Sequence, residues 1–273
     1  SQETNLNVAP YFDDFNEPEI GGKAQDYYKV LFKPGQAVQA RELTTLQSML
    51  QNQVEQFGNH FFKEGAKVIP GDLTYIDKFY AVEIEDNFLG IPVSSYLDNL
   101  VGVSISGETS GVTAKIEKVI TASESDRGHI TLYVSYGESG NNNAIRDFED
   151  GENLITDANI SFGSSFITIG EGFAKTIATN ACSIGSAFRI GEGVYFLRGY
   201  LVHVDTEILI LDQYSNTPSY RVGLDIIEEI VNADQDPYLN DNANGFNNYA
   251  APGADRLKIT AKLSKKDLDT FDV

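Results

Sequence analysis

Tryptophan is absent, and cysteine and methionine occur once each, as Cys182 and Met49. A lone thiol excludes an intrachain disulfide, so burial and hydrogen bonds have to hold the fold, which suits assembly in a reducing cytoplasm. Long apolar runs are missing too, and the opening residues 1–7 show no basic region followed by an apolar core. The sequence therefore reads as neither membrane-spanning nor led by a signal peptide. Positive charge is scarce, with 20 Lys and Arg against 40 Asp and Glu and a formal net charge of -20. Such a field repels phosphate backbones and anionic bilayers, which argues against nucleic acid as a partner.

The residues of common active sites are equally sparse. His60, His129 and His203 have no Cys or His neighbours at ligand spacing, so no zinc site is expected. Ser139 sits in Gly137-Glu-Ser-Gly, where the second glycine comes one position too early for a nucleophile elbow. No glycine-rich loop ends in Lys-Ser or Lys-Thr, and Gly191, Gly193 and Gly199 lack dinucleotide-fingerprint spacing. Asn240, Asn242, Asn244 and Gly245 imitate a calcium loop, yet it begins on Asn and its closing position is Ala251, so charge and denticity fall short. That segment is expected to be a loop in which Asn and Asp bond their own backbone. Acidic residues cluster at Glu83 with Glu85, at Asp147 with Glu149 and Asp150, and at Glu228 with Glu229. Strand alternation sets Glu83 and Glu85 on one solvated face, without the burial that a general acid needs. The chain is expected to be no enzyme and to use no cofactor and no metal; sugar hydrolysis, which needs only two carboxylates, is the enzymatic alternative.

What is present is enough apolar material for a packed interior, with 41% hydrophobic residues, 16 Phe and 14 Tyr. At 273 residues more than one domain is expected. Residues 1–35 mix polar clusters with aromatics, among them Tyr11, Phe12, Phe15, Tyr27, Tyr28 and Phe32, and read as an extended arm anchored by rings. Lys33-Pro-Gly35 is a turn signal. From Gln36 to Phe62 the only glycine is Gly58, there is no proline, and Leu43, Leu46, Leu50 and Phe57 step at helical spacing. Gln53 and His60 fall on the same seam, while Met49, Val54 and Phe61 widen it. This helix either lies on its own domain's sheet or zips copies together around a symmetry axis, Gln53 being the kind of buried polar residue that sets oligomer number.

Strand patterns dominate beyond Gly65, so the fold class expected is α+β and mostly β: one long N-terminal helix with antiparallel β modules. Residues 36–96 would hold the helix and first scaffold strands. Residues 97–165, with strands at Val101–Ile105, Thr113–Val119 and His129–Tyr136, would be an inserted small β-barrel or sandwich. Residues 166–273 would complete the scaffold, with two strands meeting at Arg198-Gly199, a strand at Val222–Val231, the Asn/Asp-rich loop, and a last strand at Leu257–Leu263.

Two blocks carry a resemblance. Asn7-Val-Ala-Pro-Tyr-Phe-Asp-Asp-Phe15, followed by Tyr28-Lys-Val-Leu-Phe-Lys-Pro-Gly-Gln-Ala-Val-Gln-Ala-Arg-Glu-Leu-Thr-Thr-Leu-Gln47, resembles the opening of virion structural proteins of tailed phages, notably marine and cyanobacterial myoviruses. Gly199-Tyr-Leu-Val-His-Val204, Pro218-Ser-Tyr-Arg-Val-Gly-Leu224 and the run from Asp241 to Ile259 are similar to the same family. The resemblance implies a baseplate or tail-fibre protein, commonly the N-terminal part of a longer chain, localised in the virion and assembled in the host cytoplasm. It supplies no catalytic residues. The partners expected are further copies, as a homotrimer, and other tail proteins, with contact to the host surface open. Tyr11, Phe12 and Phe15 of the arm and Arg41, Glu42, Leu43, Leu46, Leu50, Gln53 and Phe57 of the helix are the residues expected to make those contacts. A neck or whisker protein, a glycan-binding receptor module using Tyr238, Phe246, Asn247, Asn248 and Tyr249, and a tail hydrolase are the alternatives.

Overall fold

The run that lacks proline becomes helix α1, Ala40–Phe61. The computed structural model that shows it describes residues 4–17, 19, 21–140 and 143–268. The helix starts later than Gln36 because the preceding residues close a turn first: Gly35 has φ of 81° and Gln36 N–H donates to the Lys33 carbonyl at 3.3 Å. Glu42 then reaches back to accept from Gln39 N–H at 2.8 Å, satisfying a donor that a helix start leaves open.

The strands follow in order: β1 (Lys67–Ile69), β2 (Leu73–Ile84), β3 (Asn87–Phe88), β4 (Ile91–Pro92), β5 (Ser104–Gly107) and β6 (Thr113–Ile120). Next come β7 (Ile130–Glu138), β8 (Asn153–Thr156), β9 (Ile160–Phe162), β10 (Ser165–Ile167), β11 (Gly172–Lys175) and β12 (Cys182–Ile190). The last five are β13 (Gly193–Leu197), β14 (Tyr200–Val204), β15 (Glu207–Asp212), β16 (Tyr220–Val231) and β17 (Arg256–Asp267). One compact unit takes Ser1–Asp72, Ile190–Glu207 and Gly223–Ser264; a second takes Leu73–Arg189, Ile208–Val222 and Lys265–Val273. The chain passes between them five times.

In the first unit, β1, β13 and β14 form an antiparallel sheet of order β1-β13-β14. The β13–β14 turn is Arg198-Gly199, with φ of 50° and 77°, a left-handed pair suited to a two-residue hairpin. Two-stranded β16–β17 is a separate ribbon.

The second unit is built on an eight-stranded sheet of order β11-β8-β5-β6-β7-β2-β12-β15. Its central strands are buried on both faces, so they read as continuous apolar runs. Val82, Ile84, Leu132 and Val134 join one core, while Phe79, Ala81 and Tyr133 join another. Register places Ala81 opposite Tyr133 and Val82 opposite Leu132, and Phe79 stacks on Tyr133 with centroids 4.7 Å apart. Tyr96 donates its phenol proton to the Phe173 carbonyl at 2.6 Å, and burial pushes that phenol up to about 12.

Two expectations need correction. Residues 97–165 do not close into a barrel, because β5, β6, β7 and β8 share their sheet with β2, β11, β12 and β15, and no closed barrel is found. Glu83 does not lie on a solvated face beside Glu85: it is 1% exposed, since both faces of β2 are covered there, and Arg127 Nη1 lies 3.4 Å from its carboxylate. Glu85 is past the end of the strand, where Lys175 Nζ lies 3.9 Å away.

Candidate assembly interface

Helix α1 has one face packed inside its own unit and one left open. On the packed face, Met49 lies against Gly22 and the Phe15 ring approaches the same glycine, Thr45 is buried, and Gly58 meets Phe196. Gln51 Nε2 donates to the Gly199 carbonyl at 2.8 Å, which ties the helix to the β13–β14 turn. Met49 thus belongs to the inner side and does not widen the seam expected from the sequence.

The open face carries most of that seam. Leu43, Leu50, Val54, Phe57 and Phe61 are exposed, Leu50 to 60% and Phe57 to 68%, and Leu46 is half-buried. With 3.6 residues per turn, the five exposed side chains fall within an arc of about 60° and run about 27 Å along the axis. Phe57 and Phe61 touch, with ring centroids 4.9 Å apart. Gln53 is exposed at the edge of this stripe and also lines a small cavity of about 180 Å³ with Phe15, Met49 and Asn52. Single exposed apolar residues are ordinary, but a stripe of this length makes the face a candidate interaction surface.

The arm divides in the same way. Phe15 is buried, and Tyr11 donates its phenol proton to Asp255 Oδ2 at 2.5 Å, which raises the phenol's pKa, whereas Phe12 is exposed with φ of 46°. Asp13 caps a short 3-10 turn, Asp14–Asn16, by accepting from Phe15 N–H at 3.0 Å, and Ser48 of α1 hydrogen-bonds the same carboxylate. Arg41 donates to Gln39 Oε1 at 2.7 Å and lies 3.7 Å from Asp14, so it links helix to arm within one copy. Beyond Gly22 the arm leaves its own unit's core: Tyr27, Tyr28, Leu31, Phe32 and Val38 are all exposed. Of the expected contact residues, the structure groups Leu43, Leu50 and Phe57 on one surface and sends Tyr11, Phe15, Arg41 and Glu42 to internal roles.

Two features of this unit were not foreseen. Arg198 pairs with Glu228, whose side chain is 5% exposed and also accepts from Thr4 N–H at 2.7 Å. Burial alone would raise the Glu228 carboxyl, but the Thr4 amide and the Arg198 guanidinium hold it below the usual carboxylate range. Nothing in the sequence pairs these two positions, one in the β13–β14 turn and the other on β16. The Asn/Asp-rich loop is ordered by its own bonds, with Asp241 N–H donating to Ala251 C=O at 2.8 Å and Ala243 N–H to Asp241 Oδ1 at 2.8 Å. It holds Tyr238 96% exposed, with Phe246 and Tyr249 also in solvent. Among the described residues there is no cluster of three metal-ligating side chains and no helix long and apolar enough to cross a membrane.

The family model described as Domain of unknown function (DUF4815) matches residues 10–162 and 169–271. Neither the curated proteins nor the solved structures yield a match.

Proposed function

The chain belongs to that family, and from this premise we propose that it is a non-enzymatic structural protein of a contractile phage tail, a baseplate or tail-fibre attachment protein that assembles as a homotrimer and binds other tail proteins. The observation that carries the assembly part is the open stripe Leu43, Leu50, Val54, Phe57 and Phe61 on α1. Burying a large apolar side chain is worth about 1.5–3 kcal/mol, and three copies of such a stripe supply a bundle core with heptad spacing. The tail assignment is supported by the resemblance of the two sequence blocks to phage virion proteins.

Light scattering on the intact chain tests it. A trimer that falls to monomer when Leu50 and Phe57 are both changed to Asp is the expected result; a wild-type monomer at every concentration would sink the reading. The exposed rings Tyr238, Phe246 and Tyr249 favour a second reading, a module that contacts host-surface glycan. Saturable binding to host cells that is lost when Tyr238 and Phe246 become Ala would support that role.

A further inference from the structure

A segment and a cavity of this chain have matching chemistry. Residues 27–41 hold Lys29, Lys33 and Arg41 and no acidic residue, within a chain of net charge -20. Tyr28–Lys33 lies outside every strand, and among the described residues none of its N–H groups donates to another backbone group. Docked as an extended strand, the segment would set Lys29, Leu31 and Lys33 on one side, because alternate side chains then share a face. All three are exposed, Leu31 to 73%.

The second unit contains a cavity of about 560 Å³, lined by residues of the β3–β4 and β9–β10 hairpins. Phe88, Tyr96, Phe162 and Ile167 give it apolar walls, and its charged lining residues are two carboxylates, Glu108 and Glu171, with no Lys or Arg. Each carboxylate is held by a neutral donor: Glu108 accepts from Asn153 Nδ2 at 2.7 Å and Glu171 from Thr168 N–H at 3.0 Å. At the hairpins Leu89 and Phe166 stand in solvent beside the opening.

We propose that this cavity receives residues 29–33 of a second copy, with Leu31 entering the apolar walls and Lys29 and Lys33 meeting Glu108 and Glu171. Four extended residues separate the two lysine Cα atoms by about 13 Å, so the cations flank the inserted leucine. The contact joins different surfaces of two copies and is head-to-tail, and such contacts close into a ring when the rotation permits. The proposal rests on the homotrimer reading and adds the contact that passes from one copy to the next.

A charge swap tests it on the full-length chain. Light scattering across a concentration series compares wild type, K29E/K33E, E108K/E171K and the fourfold variant. Each pair alone is expected to raise the concentration needed for assembly at least about tenfold, and the fourfold variant to restore it. Net charge by itself predicts opposite effects, because K29E/K33E makes the acidic chain more acidic and E108K/E171K makes it less so. A trimer indifferent to both pairs, or a fourfold variant no better than either, overturns the arm contact and leaves the α1 bundle standing. A wild-type monomer overturns both.

Discussion

The Phe196 ring fills the space that a side chain at Gly58 would occupy: a Cβ built on that glycine would lie 2.6 Å from Phe196 Cζ. Alanine is the better helix former by about 1 kcal/mol, so propensity predicts that G58A stabilises α1. Packing predicts the reverse. Phe196 is buried and packed against Phe62, with centroids 5.8 Å apart and the rings tilted by 40°, so it has little room to move aside. Gly58→Ala is expected to lower stability by about 1–2 kcal/mol net, measured by urea denaturation. An unchanged or higher midpoint would show that the ring yields.

The exposed stripe of α1 has a thermodynamic signature. If copies associate through it, the melting temperature rises with protein concentration, because assembly binds the folded state only. A chain carrying Leu50→Ser and Phe57→Ser is expected to melt at a temperature independent of concentration. These residues are already in solvent within one copy, so the substitutions leave its interior untouched. Equal slopes for wild type and variant would count against the stripe.

Glu228 gives a pH dependence. Its carboxyl is held low in the fold, so the stability it contributes is present above the unfolded value of about 4.3 and is lost as pH falls through the lower folded value. Glu228→Gln removes the carboxylate that faces Arg198 and accepts from Thr4, and is expected to cost about 3 kcal/mol at pH 7. The gap between wild type and variant should narrow progressively below about pH 4.3. Denaturation curves at pH 7 and pH 3.5 with the same gap would rule out the charged pair as its source.

Cys182 is expected to be chemically quiet. Burial pushes its thiol up to about 11, and it donates to the Phe148 carbonyl at 3.4 Å. Only the thiolate attacks, and at pH 8 a thiol with that value is ionised in about one molecule in a thousand. A chromogenic aromatic disulfide should react with the native chain at least about a hundredfold more slowly than with the chain unfolded in guanidinium. Comparable rates would place the sulfur in solvent.

Much of this was legible from local pattern. Helix α1, β6, β7 and the Arg198-Gly199 hairpin follow from spacing and turn chemistry, which depend on near neighbours only. The pattern failed where tertiary burial overrides alternation. Glu83 reads as a surface residue in Phe79-Tyr-Ala-Val-Glu-Ile84 because a strand covered on both faces has no outward side, and sequence does not count the layers. The pattern places a strand start at Val101, whereas Leu97–Leu100 is a 3-10 turn and Gly102 adopts φ of 87°, so β5 begins at Ser104. For the candidate interface, helical spacing found Leu43, Leu50 and Phe57 but assigned Met49 to their side. Which side faces inward is decided by Gly22 and Phe15, residues of the arm that no periodicity on the helix can reveal. The cavity of the second unit was out of reach for the same reason, since its lining is collected from segments between Phe88 and Gly172.

The five passages of the chain between units bear on how a ribosome delivers it. The unit that owns α1 begins at Ser1, yet its last segment ends at Ser264, roughly 190 residues after Asp72. The β13–β14 hairpin that covers Gly58 ends at Val204, roughly 130 residues after Asp72, so at about 5–20 residues per second the emerged helix waits about 7–26 s for it. On a polysome loaded with several chains, the apolar stripe of one nascent copy meets those of its neighbours before any of them has finished its own interior. If copies associate through that stripe as proposed, recognition between copies and the folding of each copy compete from the moment the helix emerges.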